Sequence, residues 1–437
     1  MKKLLAFLSI LAIAHSAFGQ ELVRRSFLGI QMENLNDDVI RIMGLKSGNG
    51  VLINNVIPNS TASAVGFNTG DILLKINDQT INSTADAVRY VGAQKSNTSF
   101  TYQILRDKKI IEGKGTFMPY PKETYPDLSV TYTEVKTTTG VQRVIITESK
   151  KGSNGALVVF IGGLGCYSLD SPLDTSRSEL QLLNMLARSG YTTIRIEKPG
   201  IGDGAGYSKP CNEIGFHEET AGYIDAIAYM KEQAGLKDKD IYIIGHSMGG
   251  AMAPLIAAKI DVKGIIAYGT IGSNFMEYLL KTRRTIGEAY DWPAEETDAY
   301  VKDYCECASF YFIEKMSVEQ AAQRKADCRD YLSVFEARSR KYNDELYALN
   351  PAAIWKEYKG RSLIAYGKSD FIASQEDHEI LERAINQFYP GMATLALIEG
   401  ADHGMYSASS FQQARSNPGG YNSRIGSVFV EWLRKQS

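Results

Sequence analysis

An excess of charge of either sign is the first thing this sequence lacks. Its 437 residues carry 48 Lys and Arg against 50 Asp and Glu, a formal net charge of −2. Nothing in that balance points to nucleic acid or an anionic membrane surface as a partner. Beyond the N-terminus no run is apolar enough to cross a bilayer. Histidine and cysteine are scarce, with five of each. Cys305-x-Cys307 has neither a nearby His nor four-ligand spacing, which argues against a metal centre. The glycines at 162–165 are followed by no Lys-Ser/Thr pair, which argues against a phosphate loop. No metal or organic cofactor is expected.

What is present is an ordinary globular composition, 44% hydrophobic and 22% charged, in a chain long enough for two or three domains. Residues 1–19 combine Lys2 and Lys3, an apolar core at 4–14 and the small-x-small ending Ala17-Phe18-Gly19. That pattern predicts a secretory signal peptide cleaved before Gln20, and hence a periplasmic or secreted protein. Disulfides persist in such a compartment. Cys166 with Cys211, and Cys305 or Cys307 with Cys328, are the expected pairs, and the odd count leaves one thiol over.

Residues 20–118 read as a small β-rich unit, with strands at 28–32, 51–56, 72–76 and 100–105 and a helix at 84–91. The loop Phe27-Leu28-Gly29-Ile30, the run Gly50-Val51-Leu52-Ile53 and the stretch Gly70-Asp71-Ile72-Leu73-Leu74 resemble bacterial PDZ domains. The resemblance implies that Phe27, Leu28, Gly29 and Ile30 form a peptide-binding loop. A peptide carboxy-terminus would add as a strand beside it. Residues 119–128, with three prolines, read as a semi-rigid linker.

From residue 129 onward an alternating pair, 129–135 and 142–147, precedes apolar strands at 156–161, 192–196, 241–244, 262–268, 362–366 and 394–398, interleaved with helices. This predicts a mostly parallel sheet with helices on both faces and ligands beyond the strands' C-terminal ends. Residues 272–350 interrupt the series with helical stretches at 276–285, 294–315 and 318–341, a candidate cap.

The strand at 241–244 runs into Gly245-His246-Ser247-Met248-Gly249, and a helix is expected at 251–259. A G-x-S-x-G turn lifts its Ser above the sheet edge, which makes Ser247 a candidate nucleophile. Asp370 and His403 each follow a later strand. The order Ser, Asp, His resembles the α/β-hydrolase superfamily over 129–271 and 351–437. The resemblance implies Ser247 as nucleophile, His403 as base and Asp370 as acid. It also implies an oxyanion hole from Met248 together with Gly163 or Leu164, and makes the glycine-rich 200–206 a strand-following loop. Ile161 stands where the family usually has His. His217, His246 and His378 are expected to be structural or solvated, and Glu399 and Asp402 are alternative carboxylates beside the base.

The expected function is therefore an exported serine hydrolase acting on a carboxylic ester. A serine peptidase fed by the PDZ groove is the second reading, and a non-catalytic peptide-binding protein with a degenerate hydrolase domain the third.

Overall fold

The structure is a computed structural model that describes residues 22–36, 40–41, 49–153, 155–233 and 236–436. The expected signal peptide lies outside them. In the N-terminal unit, strands β2 (Ile30–Asn34), β3 (Val51–Val56), β4 (Ile72–Ile76), β6 (Ser99–Arg106) and β7 (Lys109–Thr116) form an antiparallel sheet in the order β2-β3-β4-β6-β7, with the short β5 (Gln79–Thr80) beside β4. Val51, Ile53, Leu73, Ile76, Phe100 and Ile104 point into one core, closed by Phe117. Helix Thr84–Ala93 starts where the Ser83 side chain accepts the Asp86 N–H. β7 is not expected from the sequence, because KIIEGKGT has two glycines and no buried residue. Its strand character comes from pairing along the whole of β6.

β1 (Ser26–Phe27) pairs with β8 (Met118–Pro119), bringing both ends of this unit together. Beyond them lies one eight-stranded sheet. Its strands are β9 (Leu128–Thr137), β10 (Gly140–Ser149), β11 (Ala156–Ile161), β12 (Thr192–Ile196), β13 (Asp240–His246), β14 (Gly264–Tyr268), β15 (Arg361–Gly367) and β16 (Ala393–Ile398), in the order β16-β15-β14-β13-β11-β12-β10-β9. β9 and β10 form the antiparallel edge pair, and β11 to β16 pair in parallel. The inner strands are buried on both faces, so they read as continuous apolar runs. Alternate residues serve opposite cores. Leu157, Val159 and Ile243 face the helices Phe216–Lys231 and Met248–Ala257, while Val158, Phe160 and Ile244 face Ser178–Arg188 and Ser423–Arg434.

Register decides where the strands stop. Ile161 lies opposite Gly245, His246 opposite Tyr268, and Gly367 opposite Ile398. Consequently the loops that follow β11, β13, β14, β15 and β16 leave the sheet along one edge.

The insertion begins as expected, with helices Phe275–Ala289 and Ala294–Phe312. The single helix expected at 318–341 is instead broken into Val318–Arg324, Cys328–Leu332 and a 3-10 turn Ser333–Ala337, with Arg340–Tyr347 beginning only near its end. Tertiary ties to helix Ala294–Phe312 bend this stretch. Lys325 is extended, with its ammonium 2.7 Å from Asp303 and 2.8 Å from Glu306, and Cys328 is bonded to Cys307.

The stretch expected as a semi-rigid linker is tied to the large sheet. Glu123, with a fully buried side chain, pairs with Arg195 of β12 at 2.7 and 2.9 Å. Nearby, Arg24 reaches Asp170 at 2.8 Å and Asp203 at 2.6 Å, Arg143 joins Asp203 at 2.9 Å, and Lys95 donates to the Ala205 carbonyl. The N-terminal unit is thereby docked on loops of the large sheet. Removing one member of a buried ion pair strands the other charge, so Glu123→Ala should cost about 3–5 kcal/mol. Urea unfolding followed by circular dichroism should show a lower midpoint. Glu123→Ala with Arg195→Met should cost less than the sum of the two single changes.

Candidate active site

Ser247 sits between β13 and helix Met248–Ala257 with φ 54° and ψ −123°, a conformation that costs a non-glycine residue about 1–3 kcal/mol. The neighbours have no room for side chains. A Cβ on Gly249 would lie 2.1 Å from the Ile161 carbonyl oxygen, and one on Gly245 would lie 2.5 Å from the Gly249 carbonyl oxygen. The Ser247 N–H donates to the Tyr268 carbonyl at 2.9 Å, tying the turn to the next strand. The helix starts at Met248, three residues before the sequence predicts, because the turn is a single residue wide.

His403 lies in the loop after β16. Its Nε2 is 3.2 Å from Ser247 Oγ and its Nδ1 is 2.8 Å from Asp370 Oδ2. The Asp370 side chain is fully buried, and its other oxygen accepts N–H groups from Ile372 at 2.8 Å and Ala373 at 2.9 Å. Burial alone raises a carboxyl's pKa. Here the charge and hydrogen bond of His403, with those two N–H groups, outweigh burial and hold Asp370 below its ordinary range. His403 shows the mirror case: burial lowers its pKa, and Asp370 outweighs burial to leave it raised. With Nδ1–H directed at Asp370, the neutral imidazole presents the Nε2 lone pair to the Ser247 hydroxyl.

The other candidates are placed elsewhere. His246 is buried, with Nε2 2.8 Å from the His403 carbonyl. Burial, then the charge of His403, pushes its pKa down to about 4, so it stays neutral and braces the loop that carries His403. His378 is fully buried rather than solvated, between the Ser374 carbonyl and the Thr270 N–H. His217 is exposed. Glu399 pairs with Lys368 at the surface, and Asp402 accepts the Tyr406 N–H, so neither takes the place of Asp370.

Of the expected oxyanion donors, Met248 is the first residue of its helix, so its N–H has no intrahelical acceptor and lies at the positive dipole end. Gly163 packs against Ser247, and a Cβ there would lie 3.1 Å from Ser247 Cβ. Leu164 follows, half-buried. Their carbonyls are held by two residues that no sequence pattern marks. Lys198 Nζ is 2.5 Å from the Gly163 oxygen, and Arg338 Nη1 is 2.7 Å from the Leu164 oxygen. Lone basic residues carry no motif, so only the folded chain reveals them. Cys166, next along this loop, is bonded to Cys211, and Cys305 is a free, half-buried thiol. Among the described residues no group of three His, Cys, Asp or Glu is arranged to hold a metal ion.

In the N-terminal unit Phe27 and Leu28 are buried, and Gly29 turns the chain at φ +73° into β2, which therefore starts at Ile30 rather than at 28. A Cβ on Gly29 would lie 2.1 Å from Ser60 Cβ. A bulky residue there would break the loop rather than fill a groove. β2 is the last strand on its side of the sheet among the described residues, and its free edge lies toward helix Thr84–Ala93, where Val88 is exposed.

Because Asp370 is what raises His403 against burial, Asp370→Asn should carry the imidazole pKa from above its ordinary 6.5 to below it. NMR titration of the His403 ring protons would read the change directly, and an unchanged midpoint would contradict this account of the pair.

Comparison with known proteins follows the same division. A PDZ domain model matches residues 26–113, and a model described as the alpha/beta hydrolase family matches residues 158–414, more than half of the chain. Among curated proteins, a probable periplasmic serine endoprotease DegP-like of Marinomonas is 33% identical over 87 residues, which are 20% of this chain and 19% of that protein. The chain thus spans about a fifth of the length of the curated relatives it matches, within the PDZ region. Among solved structures, an esterase of Pyrococcus furiosus is 14% identical, with 70% of this chain and 90% of that chain covered and a TM-score of 0.43. The acylaminoacyl peptidase of Pyrococcus horikoshii is 14% identical, with 78% and 48% covered and a TM-score of 0.46. The mostly parallel sheet, the turn at Ser247 and the matched region agree, and the chain belongs to the alpha/beta hydrolase family, with a PDZ domain ahead of its hydrolase domain.

Proposed function

We propose that this protein is an exported serine hydrolase that cleaves carboxylic esters. The observation that carries the reading is the hydrogen-bonded chain from Ser247 Oγ through His403 to Asp370, set on a turn whose strain holds the hydroxyl above the sheet edge. A serine hydroxyl is almost un-ionised at neutral pH, so attack requires a base within reach. His403 Nε2 takes the Ser247 proton as Oγ bonds to the acyl carbon. The carbonyl π electrons move onto oxygen, where the N–H of Met248 and one from the 163–164 turn meet the charge. Asp370 stabilises the imidazolium. The imidazolium then protonates the departing alkoxide, leaving an acyl-serine. Water, giving a proton to His403, attacks that acyl carbon and releases the carboxylic acid as Ser247 regains its proton.

Residues 272–350 act in this reading as a cap, since their helices share the hydrophobic core next to the sheet. Export is supported by the leader-like residues 1–19 and by the two disulfides, Cys166–Cys211 and Cys307–Cys328. No helix among the described residues is long and apolar enough to cross a membrane. The free edge of β2 favours a second reading, in which a peptide adds to the PDZ sheet and the same serine cleaves an amide.

A fluorophosphonate probe should label the wild-type protein and leave Ser247→Ala unlabelled, with ester turnover lower by a factor on the order of 10⁶ in the variant. A folded wild-type protein that does not react with a small probe would overturn the reading. Faster turnover of peptides than of matched esters would move it to the peptidase.

A further inference from the structure

The loop that flanks the nucleophile, Gly162-Gly163-Leu164-Gly165, has one side chain larger than hydrogen. Glycine backbones are loose, and side-chain packing offers little by which to fix them. The remaining handles are the backbone N–H and C=O groups: the Gly163 N–H meets the Tyr167 hydroxyl, and two of the carbonyls are taken as well. Lys198 Nζ lies 2.5 Å from the Gly163 oxygen and 3.4 Å from that of Leu164, and Arg338 Nη1 lies 2.7 Å from the Leu164 oxygen. Glu219 ties the two cations together. Its Oε1 is 3.0 Å from Lys198 Nζ, and its Oε2 accepts a hydrogen bond from Arg338 Nη2. The Arg338 guanidinium is closed off on its face by the Tyr342 ring, 3.6 Å away. All three charged side chains are almost wholly buried.

The members come from three separate parts of the chain. Lys198 follows the end of β12, Glu219 stands in the first turn of helix Phe216–Lys231, and Arg338 follows the 3-10 turn Ser333–Ala337 inside the insertion. We propose that Lys198, Glu219 and Arg338 form a buried clamp that orients the oxyanion loop, so that Arg338, contributed by the insertion, is a positioning residue for attack by Ser247. The proposal rests on the serine-hydrolase reading and adds to it a group of residues that never touch the substrate.

The physics lies in the peptide plane. In a trans peptide the C=O and N–H vectors are antiparallel, so a cation holding the Gly163 oxygen fixes the direction of the Leu164 N–H. One holding the Leu164 oxygen fixes the next peptide plane, so Leu164, the candidate donor between the two planes, is held from both sides. A cation on the oxygen also polarises the peptide and strengthens its N–H as a donor. Stability alone does not require such an arrangement, because apolar residues of the same volume replace buried ion pairs without loss in many proteins. What apolar residues lack is a donor for a carbonyl. The clamp carries one surplus positive charge. Removing either cation leaves a balanced pair, whereas removing Glu219 leaves two buried cations facing each other.

Arg338→Gln and Lys198→Met are therefore the variants to make. In each, kcat for a short p-nitrophenyl ester should fall about 10- to 100-fold, the penalty for a misplaced donor, with KM within about twofold. Affinity for a trifluoromethyl ketone, whose tetrahedral adduct places an oxyanion in the hole, should fall by the same factor as kcat/KM. The acid limb set by His403 should stay where it is, and Arg338→Lys should recover part of the loss. An unchanged kcat in both folded variants would overturn the clamp, as would a loss confined to KM. If Arg338→Gln does not fold, Lys198→Met and Arg338→Lys decide the matter on the same readouts. If the wild type itself neither turns over the ester nor reacts with a fluorophosphonate, the serine-hydrolase reading falls and the clamp with it. A reactive wild type with equally reactive variants removes the clamp alone.

Discussion

The structure depends on the parallel register of β11, β13, β14, β15 and β16. A hydrogen-bonded ladder fixes each strand against its neighbour to within a residue, and a slip by one would send every side chain to the opposite core. Because both cores are apolar and filled, that slip is prohibitive. The strand ends are thus level, and the loops that follow them meet. Ser247, Asp370 and His403, as many as 156 residues apart, come within hydrogen-bonding distance for this reason.

Around that meeting point the protein buries charge in linked groups of opposite sign. Arg195 with Glu123 fastens the segment between the domains to a central strand, and Arg24 and Arg143 converge on Asp203. Lys198 and Arg338 converge on Glu219. Each group crosses a boundary between chain segments that hydrophobic packing alone would hold without fixed orientation. Directional hydrogen bonds to charged groups supply that orientation, at a desolvation cost that only close pairing offsets. All three groups touch the loop after β11, at Leu169 and Ser171, at Asp170, and at Gly163 and Leu164. Asp170 lies four residues beyond Cys166 in the sequence, and Lys198 lies five residues before Asp203. The docked PDZ domain and the insertion therefore both contact the loop after β11, the first at Asp170 and the second at Leu164.

Local patterns in the sequence carried the fold a long way. Continuous apolar runs mark strands buried on both faces, alternation marks the edge pair, and glycine on both sides of a serine marks a turn too tight for side chains. Those signals are local because their causes are local: backbone sterics and the periodicity of burial. They placed the eight strands of the large sheet and the interruption between the sixth and seventh. The PDZ resemblance likewise rested on short glycine and apolar motifs.

What only the tertiary structure decided has partners distant in the chain. The break in the stretch expected as one helix at 318–341 follows from Lys325 reaching Asp303 and Glu306 and from the Cys307–Cys328 bond, which the sequence left open between Cys305 and Cys307. β7 exists because β6 lies beside it. Asp370 is distinguished from Glu399 and Asp402 by which carboxylate reaches His403 Nδ1, and neighbours in sequence are poorly placed to do so. Lys198, Glu219 and Arg338 are anonymous charged residues until folding puts them around two carbonyl oxygens. Sequence alone determined the eight strands of the large sheet and the tight turn at Ser247, since those depend on neighbours along the chain. The folded chain determined which charges meet and which peptide groups they hold, because electrostatic pairing acts through space and leaves no periodic mark in the sequence.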